Sequence, residues 1–246
     1  MKTETVKRNK IITRDWFNQW SNQYDQTLGR ISYHLRLLDL LVKNSGVKDN
    51  DKILDLGCGT GLLSLKLLEK ADCYITGIDN SKEMISIFKE KIKKLKLEDR
   101  INCLLMDLDS LNFQSNSFDL ITSSVALHHL KDKLTPLKRL HKFLKPKGIL
   151  FIAELDMDTT GRHTDIKRLK RILKVLEQEW VPALKDAGVE AFNKMYFNGI
   201  KHILNQGDYC LSLNQWASIC RRVGFSKVSV KRVPKHKAFG IVVAKK

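Results

Sequence analysis

The chain has 246 residues, of which 43% are hydrophobic and 29% charged, and a net charge of +17. Length and balance fit one soluble globular domain, and no run of about 18 apolar residues calls for a membrane span. The polar first ten residues exclude a signal peptide. Five dispersed cysteines without a Cys-x-x-Cys pair argue for reduced thiols in a cytoplasm and against structural zinc. Such a positive charge can mark a nucleic-acid or anionic-membrane partner. Here the basic residues are dispersed, from Lys7–Lys10 through Lys89–Lys96, Lys138–Lys147 and Lys167–Lys174 to Arg221–Lys237. No aromatic–basic alternation accompanies them, which favours lysine-rich solvated helix faces.

In chain order, Ile11–Leu41 reads as helical and carries Trp16, Phe17, Trp20 and Tyr24. A short apolar strand, Lys52–Leu56, runs into a turn with Gly57, Gly59 and Gly61, and Leu62–Glu69 has helical spacing. Such a turn lets backbone approach a ligand where a Cβ would collide, and the next helix offers unpaired N–H groups. A second strand, Tyr74–Ile78, ends at Asp79, where an acid can bind ribose hydroxyls. Ser81–Leu97 is an amphipathic helix capped by Asn80 or Ser81.

Strands three and four are Ile101–Met106, ending beside Asp107 and Leu108, and Phe118–Ser123. Lys133–Leu144 is helical, ending before Pro146 and Gly148, and Gly148–Ala153 is the fifth strand. Asp156–Ser212 is a mostly helical insertion whose Ile166, Leu169, Leu173 and Leu176 spacing gives one apolar face. An insertion at the carboxyl end of a parallel strand lies over the usual ligand site, so it reads as a substrate cap. Asn214–Val223 is a helix closed by Gly224. Phe225–Val233 and Ala238–Ala244 follow as strands joined too tightly for anything but an antiparallel pair.

The expected fold is therefore α/β: a Rossmann-like, mostly parallel seven-stranded sheet with a C-terminal antiparallel hairpin, N-terminal helices and a helical cap after strand five. One domain spans 1–246. It comprises N-terminal helices (1–45), a cofactor-binding core (46–155), the cap (156–212) and the terminal helix with its strands (213–246).

Gly57-x-Gly59-x-Gly61 has its third glycine one residue earlier than a dinucleotide fingerprint. With Asp79, Asp107, Phe118-Asp119-Leu120-Ile121, Leu127-His128-His129-Leu130 and Leu144-Lys145-Pro146-Lys147-Gly148, the chain closely resembles the class I S-adenosylmethionine-dependent methyltransferases. It looks most like the methyltransferase type 11 and ubiquinone/menaquinone-biosynthesis-like group. The resemblance is strong over residues 52–153; the N-terminal helices and the cap match only in position.

The resemblance implies S-adenosylmethionine as cofactor. Asp55, Gly57, Cys58, Gly59 and Gly61 would surround its methionine moiety, with Ser123 nearby. Asp79, with Asn80 beside it, would bind the ribose, and Asp107 and Leu108 the adenine. Cys58 could be a reactive thiol at a helix N-terminus; a small filler is the preferred reading. His128 and His129 are the candidate bases, and a similar group uses an acid after strand five, here Glu154 or Asp156. Trp20, Tyr24 and Asp156 are candidates for the acceptor pocket, as are Trp16 and Trp180.

The expected activity is methyl transfer to a small molecule by in-line displacement, with no metal. The alternative is an RNA or protein methyltransferase that uses the basic surface. The chain lacks the Asn/Asp-Pro-Pro-Tyr/Phe run and the Pro-Cys pair of base-modifying enzymes, which lowers that alternative. A regulatory protein with a degenerate site is disfavoured by the intact Asp55, Gly57, Gly59, Gly61 and Asp79.

Overall fold

In the computed structural model, residues 2–162, 164–205 and 209–246 are described. The expected cap includes residues 163 and 206–208, which lie outside that set. Five parallel strands carry the centre: β1 (Lys52–Leu56), β2 (Tyr74–Asp79), β3 (Ile101–Leu105), β4 (Phe118–Ser124) and β5 (Leu144–Leu155). Then β6 (Lys227–Val233) and β7 (His236–Lys245) complete a sheet of order β3-β2-β1-β4-β5-β7-β6, with β7 antiparallel to both neighbours. Four of the five residues of β1 are buried, as expected of a strand covered on both faces. The strand order reverses between β1 and β4, so their carboxyl ends open the crevice where such sheets take ligands.

The helices fall into two layers. Helices α1 (Lys2–Thr27), α2 (Ser32–Ser45), α3 (Leu62–Leu68), α4 (Lys82–Lys94) and α6 (Ile166–Asn198) contribute to one core. Helices α5 (Leu134–Phe143) and α7 (Leu213–Val223) contribute to the other. Helix α4 starts at Ser81, whose hydroxyl accepts from Met84 N at 3.2 Å. Helix α7 begins with a capping box between Ser212 and Gln215 and ends at Gly224, φ +113°.

Three expectations gain detail or need correction. The helical stretch expected over 11–41 divides into two of the expected N-terminal helices, α1 and α2. The chain turns at Gly29, where a Cβ would strike the Asp25 carbonyl, and this puts Ile31 and Tyr33 into the core. Asp186 of α6 then accepts from Ser32 N at 2.8 Å, placing a carboxylate at the positive end of α2. Second, β5 begins at Leu144 rather than Gly148. Pro146 and Lys147 form an exposed irregular stretch with Lys147 at φ +68°, and regular pairing with β4 resumes at Leu120↔Ile149. A proline without an N–H is tolerated at such an interruption.

Third, the apolar face expected on α6 does not face the core. Ile166, Leu169 and Leu173 are 68%, 39% and 39% exposed; Leu176 alone of the four is buried. The inward face is Arg168, Ile172, Leu176, Glu179 and Ala183. Arg168 fixes the rotation by donating from Nε to the Thr159 carbonyl at 2.8 Å. Gly188 (φ +83°) kinks the helix, which runs on into a π-helical turn, Gly199–Asn205. Among the described residues no helix is long and apolar enough to cross a membrane.

Candidate active site

A cavity of about 490 Å³ opens at the carboxyl ends of β1, β2 and β4. One side is built by the glycine turn and the ends of β2 and β3. Gly57 and Gly59 line it, with Asp79, Asn80, Met84, Met106, Asp107, Leu108 and Asp109. Two glycines of the turn have no substitute. A Cβ at Gly57 (φ +64°) would overlap the Ala126 methyl, and one at Gly61 (φ +88°) would overlap the Phe88 ring. Cys58 N donates to the Ile78 carbonyl at 2.9 Å, and Asp79 accepts from Gly59 N at 2.9 Å and Ser81 N at 2.8 Å. The turn is thus clamped to the end of β2. Burial raises Asp79 above the usual carboxylate range, against the backbone donors that lower it. Each oxygen takes a backbone donor and, having several acceptor sites, can take another.

Four residues expected at the cofactor do not line this wall: Gly61, which faces the Phe88 ring, and Asp55, Ser123 and Cys58. Asp55 is 1% exposed and accepts from Ser64 Oγ at 2.7 Å and Thr122 Oγ1 at 3.0 Å. Burial pushes its carboxyl up to about 6. Ser123 is fully buried and donates to the Leu56 carbonyl at 3.2 Å. The Cys58 thiol is pushed well up by a hydrogen bond with the Cys103 thiol and by burial, the opposite of an activated cysteine. Ser124, next to Ser123, does line the cavity, and its buried hydroxyl has no hydrogen-bond partner among the described residues.

The other side of the cavity is aromatic. Helix α1 roofs it with Thr13, Phe17 and Tyr24; the loop after β4 supplies Val125, Ala126 and His129; Tyr209 arrives from the segment that precedes α7. The roof is fastened to the glycine-turn side: Ser81 Oγ donates to Asn18 Oδ1 at 2.6 Å, and Asp25 of α1 takes the Thr60 hydroxyl and pairs with Lys91. Burial, then the nearby Asp79 charge, raises the Tyr24 phenol well above its ordinary range. Val125 has φ +53°, a left-handed conformation that a β-branched residue rarely adopts. Its N–H donates to the Ala153 carbonyl at 2.8 Å, which holds it there beside the cavity.

The two histidines differ in setting. His129 lines the cavity, its ring edge-on to Phe17 with centroids 5.6 Å apart. His128 is buried behind it, Nδ1 lying 2.8 Å from Glu154 Oε2, while its backbone N–H donates to Glu154 Oε1 at 3.2 Å. Burial would raise Glu154, but the His128 charge and hydrogen bond, with Lys133, hold it below the usual range. An ionised Glu154 accepts only, so His128 carries its proton on Nδ1. Lys133, also buried, donates from Nζ to the Leu127, His128 and Leu130 carbonyls and so braces the whole turn.

Trp20 is 2% exposed, in the core between Phe17 and Tyr24. Asp156 accepts from Leu213 N at 2.9 Å and pairs with Arg232, tying the cap's return to β6 rather than facing the cavity. Trp16 packs against Trp20, and Trp180 donates to the Met195 carbonyl at 3.1 Å. Sequence reasoning passed over Phe17 as a wall, Ser124, Lys133 and Glu179. Glu179 is a fully buried carboxylate of α6, 3.4 Å from the Tyr33 hydroxyl; burial pushes it up to about 7, against the lowering pull of His128. Its one sequence signal is an acid among the inward positions of an amphipathic helix.

A family model described as "Methyltransferase domain" matches residues 47–215. An uncharacterised methyltransferase of Schizosaccharomyces pombe is 38% identical over 46% of this chain and 42% of that protein. A demethylmenaquinone methyltransferase of Staphylococcus haemolyticus is 29% identical over 82% of this chain and 91% of that one. Among solved structures, a phosphoethanolamine N-methyltransferase of Haemonchus contortus in complex with phosphomonomethylethanolamine and S-adenosylhomocysteine aligns with TM-score 0.69 at 17% identity, over 95% of this chain and 60% of that one. A methyltransferase of Aquifex aeolicus aligns with TM-score 0.59 at 19% identity, over 94% and 97%. At these identities the structural matches speak for the fold.

Proposed function

The chain belongs to the methyltransferase-domain family and is an S-adenosylmethionine-dependent methyltransferase, and from that premise we propose that its acceptor is a small molecule held under α1. The observation that carries this reading is the cavity itself. It runs without a partition from the glycine turn and Asp79 to a chamber walled by Phe17, Tyr24, His129 and Tyr209. A chamber of aromatic walls suits a compact, partly apolar acceptor.

The residues fit the donor. Gly57 and Gly59 leave backbone bare where a methionine tail would lie, Asp79 and Asn80 stand where the ribose hydroxyls would be, and Asp107 and Leu108 flank the place for the adenine. The bound cofactor supplies an electrophilic methyl on a sulfonium. This chain's own part is alignment, exclusion of water and handling of a proton. Alignment for in-line displacement can supply about 7–11 kcal/mol. The α1 roof and Tyr209 cover part of the chamber and would limit water around a bound acceptor. His129 is placed to take a proton from the acceptor, while His128 and Glu154 hold the turn that carries it. The unpartnered Ser124 hydroxyl offers the acceptor one hydrogen bond.

The Staphylococcus relative named as acting on demethylmenaquinone supports an acceptor of small, ring-containing type. The test is transfer of label from the methyl-labelled cofactor in a cell extract, followed by separation of small molecules, RNA and protein. Label in the small-molecule fraction is expected; label confined to RNA or protein would overturn the reading in favour of the basic-surface alternative.

A further inference from the structure

Helix α6 has three faces where a simple cap needs two. One is buried on the core. A second is apolar and exposed: Ile166, Leu169, Leu173, Val181 and Leu184, between 39% and 68% exposed. At 3.6 residues per turn these fall along one line, because Ile166 and Leu184 are five turns, or about 27 Å, apart. The third face is basic. Lys167, Arg171 and Lys174 follow the apolar line along one edge and Lys170 stands within it, all four exposed. Glu177 is the acid on the line, with Lys174 one turn before it.

We propose that this outer face of α6 docks the enzyme on the surface of an anionic lipid bilayer, the apolar line entering the headgroup–acyl boundary and the basic edge meeting lipid phosphates. The charge pattern selects this occupant. A second copy of the chain would set two basic edges against one another. A nucleic acid would engage the lysines and leave the leucines unserved. An interfacial helix with an apolar stripe beside Lys and Arg satisfies both, and the net charge of +17 draws the molecule to such a surface. Long lysine side chains reach the headgroups while their stems lie along the stripe. The same helix turns Glu179 toward His128 on its inner side. The inference does not depend on what the acceptor is.

The test uses the full chain and sedimentation with vesicles of phosphatidylcholine alone or mixed with phosphatidylglycerol. Binding is expected only to the mixed vesicles, weakening as salt is raised. A Leu169→Glu/Leu173→Glu variant should lose at least tenfold in partition. A Lys170→Gln/Arg171→Gln/Lys174→Gln variant should lose roughly a hundredfold, at about fivefold for each basic residue. Both change exposed residues, so melting temperature and cofactor affinity should stay at wild-type values and report separately on the fold and on the methyltransferase reading. Four results overturn the proposal: no pelleting with anionic vesicles; equal pelleting with both lipids; binding that ignores the leucine variant; or a dimer in the wild type that the leucine variant breaks.

Discussion

Replacing Glu179 with glutamine should stabilise the protein at alkaline pH and leave it nearly unchanged at acid pH. The carboxyl is fully buried and pushed from its ordinary 4.5 up to about 7. The folded protein therefore keeps a proton that the unfolded chain releases. With the folded value above the unfolded one, stability from this group is fully present below pH 4.5 and is lost as pH rises through about 7. At roughly 1.4 kcal/mol per pH decade, the loss reaches about 3 kcal/mol above pH 7. For a chain of this length that is a melting shift of about 6–12 °C. Glutamine keeps an oxygen for the Tyr33 hydroxyl and cannot ionise. The groups facing Glu179 that could mimic the effect, Tyr33 and His128, are the same in both proteins, so the difference between the two curves isolates this site. Thermal melts of both from pH 5 to pH 9 should diverge through neutrality, the variant being the more stable at the alkaline end. Parallel curves, or a wild type more stable above pH 7, would refute the reasoning.

Gly61→Ala should lose about 2–4 kcal/mol, from left-handed strain and from overlap with the Phe88 ring, read as a lower denaturant midpoint; an unchanged midpoint contradicts the packing described. Asp79→Asn should weaken cofactor binding about ten- to hundredfold in calorimetry, the worth of a hydrogen bond to a charged acceptor. Wild-type affinity would remove the ribose assignment. His129→Ala should keep cofactor affinity and melting temperature yet slow transfer about 10²–10⁴-fold. His128→Ala should instead destabilise by about 3 kcal/mol or more, because it strands the Glu154 carboxylate; identical behaviour of the two variants rejects the division of roles. Glu154, held low in the folded state, gives stability present above pH 4.5 and lost as pH falls through its folded value. Acid melts should therefore show the gap between wild type and Glu154→Gln closing on acidification.

The strands of the centre were legible because each is a short apolar run covered on both faces, and the helix ends at Ser81, Ser212 and Gly224 because caps are local chemistry. The break at Gly29 was not, since one glycine within a long helical pattern looks tolerable until Ile31 has a core to enter. On α6 the apolar periodicity was real, but it does not say which face meets the core. Periodicity reports a face, and what lies opposite that face is settled by Arg168 and Glu179, polar residues that the pattern counts as outward. Glu154 and Asp156 looked equivalent beside the fifth strand. Only the fold shows Glu154 turned to His128 and Asp156 turned to Leu213 N and Arg232. The lining by Gly57, Gly59, Asp79 and Asp107 followed from motif order, whereas Phe17 and Tyr209 come from segments far apart in sequence that meet only over the sheet.

Val125 carries a consequence for directed evolution. A valine held at φ +53° stores about 1–2 kcal/mol that an asparagine or glycine would release. A library screened for heat tolerance alone will find that position early and keep the change. Yet the same residue lines the cavity beside His129, so each such gain would also reshape that wall. Selection on thermostability would thereby redraw, at a single codon, a wall that no measurement of stability reads.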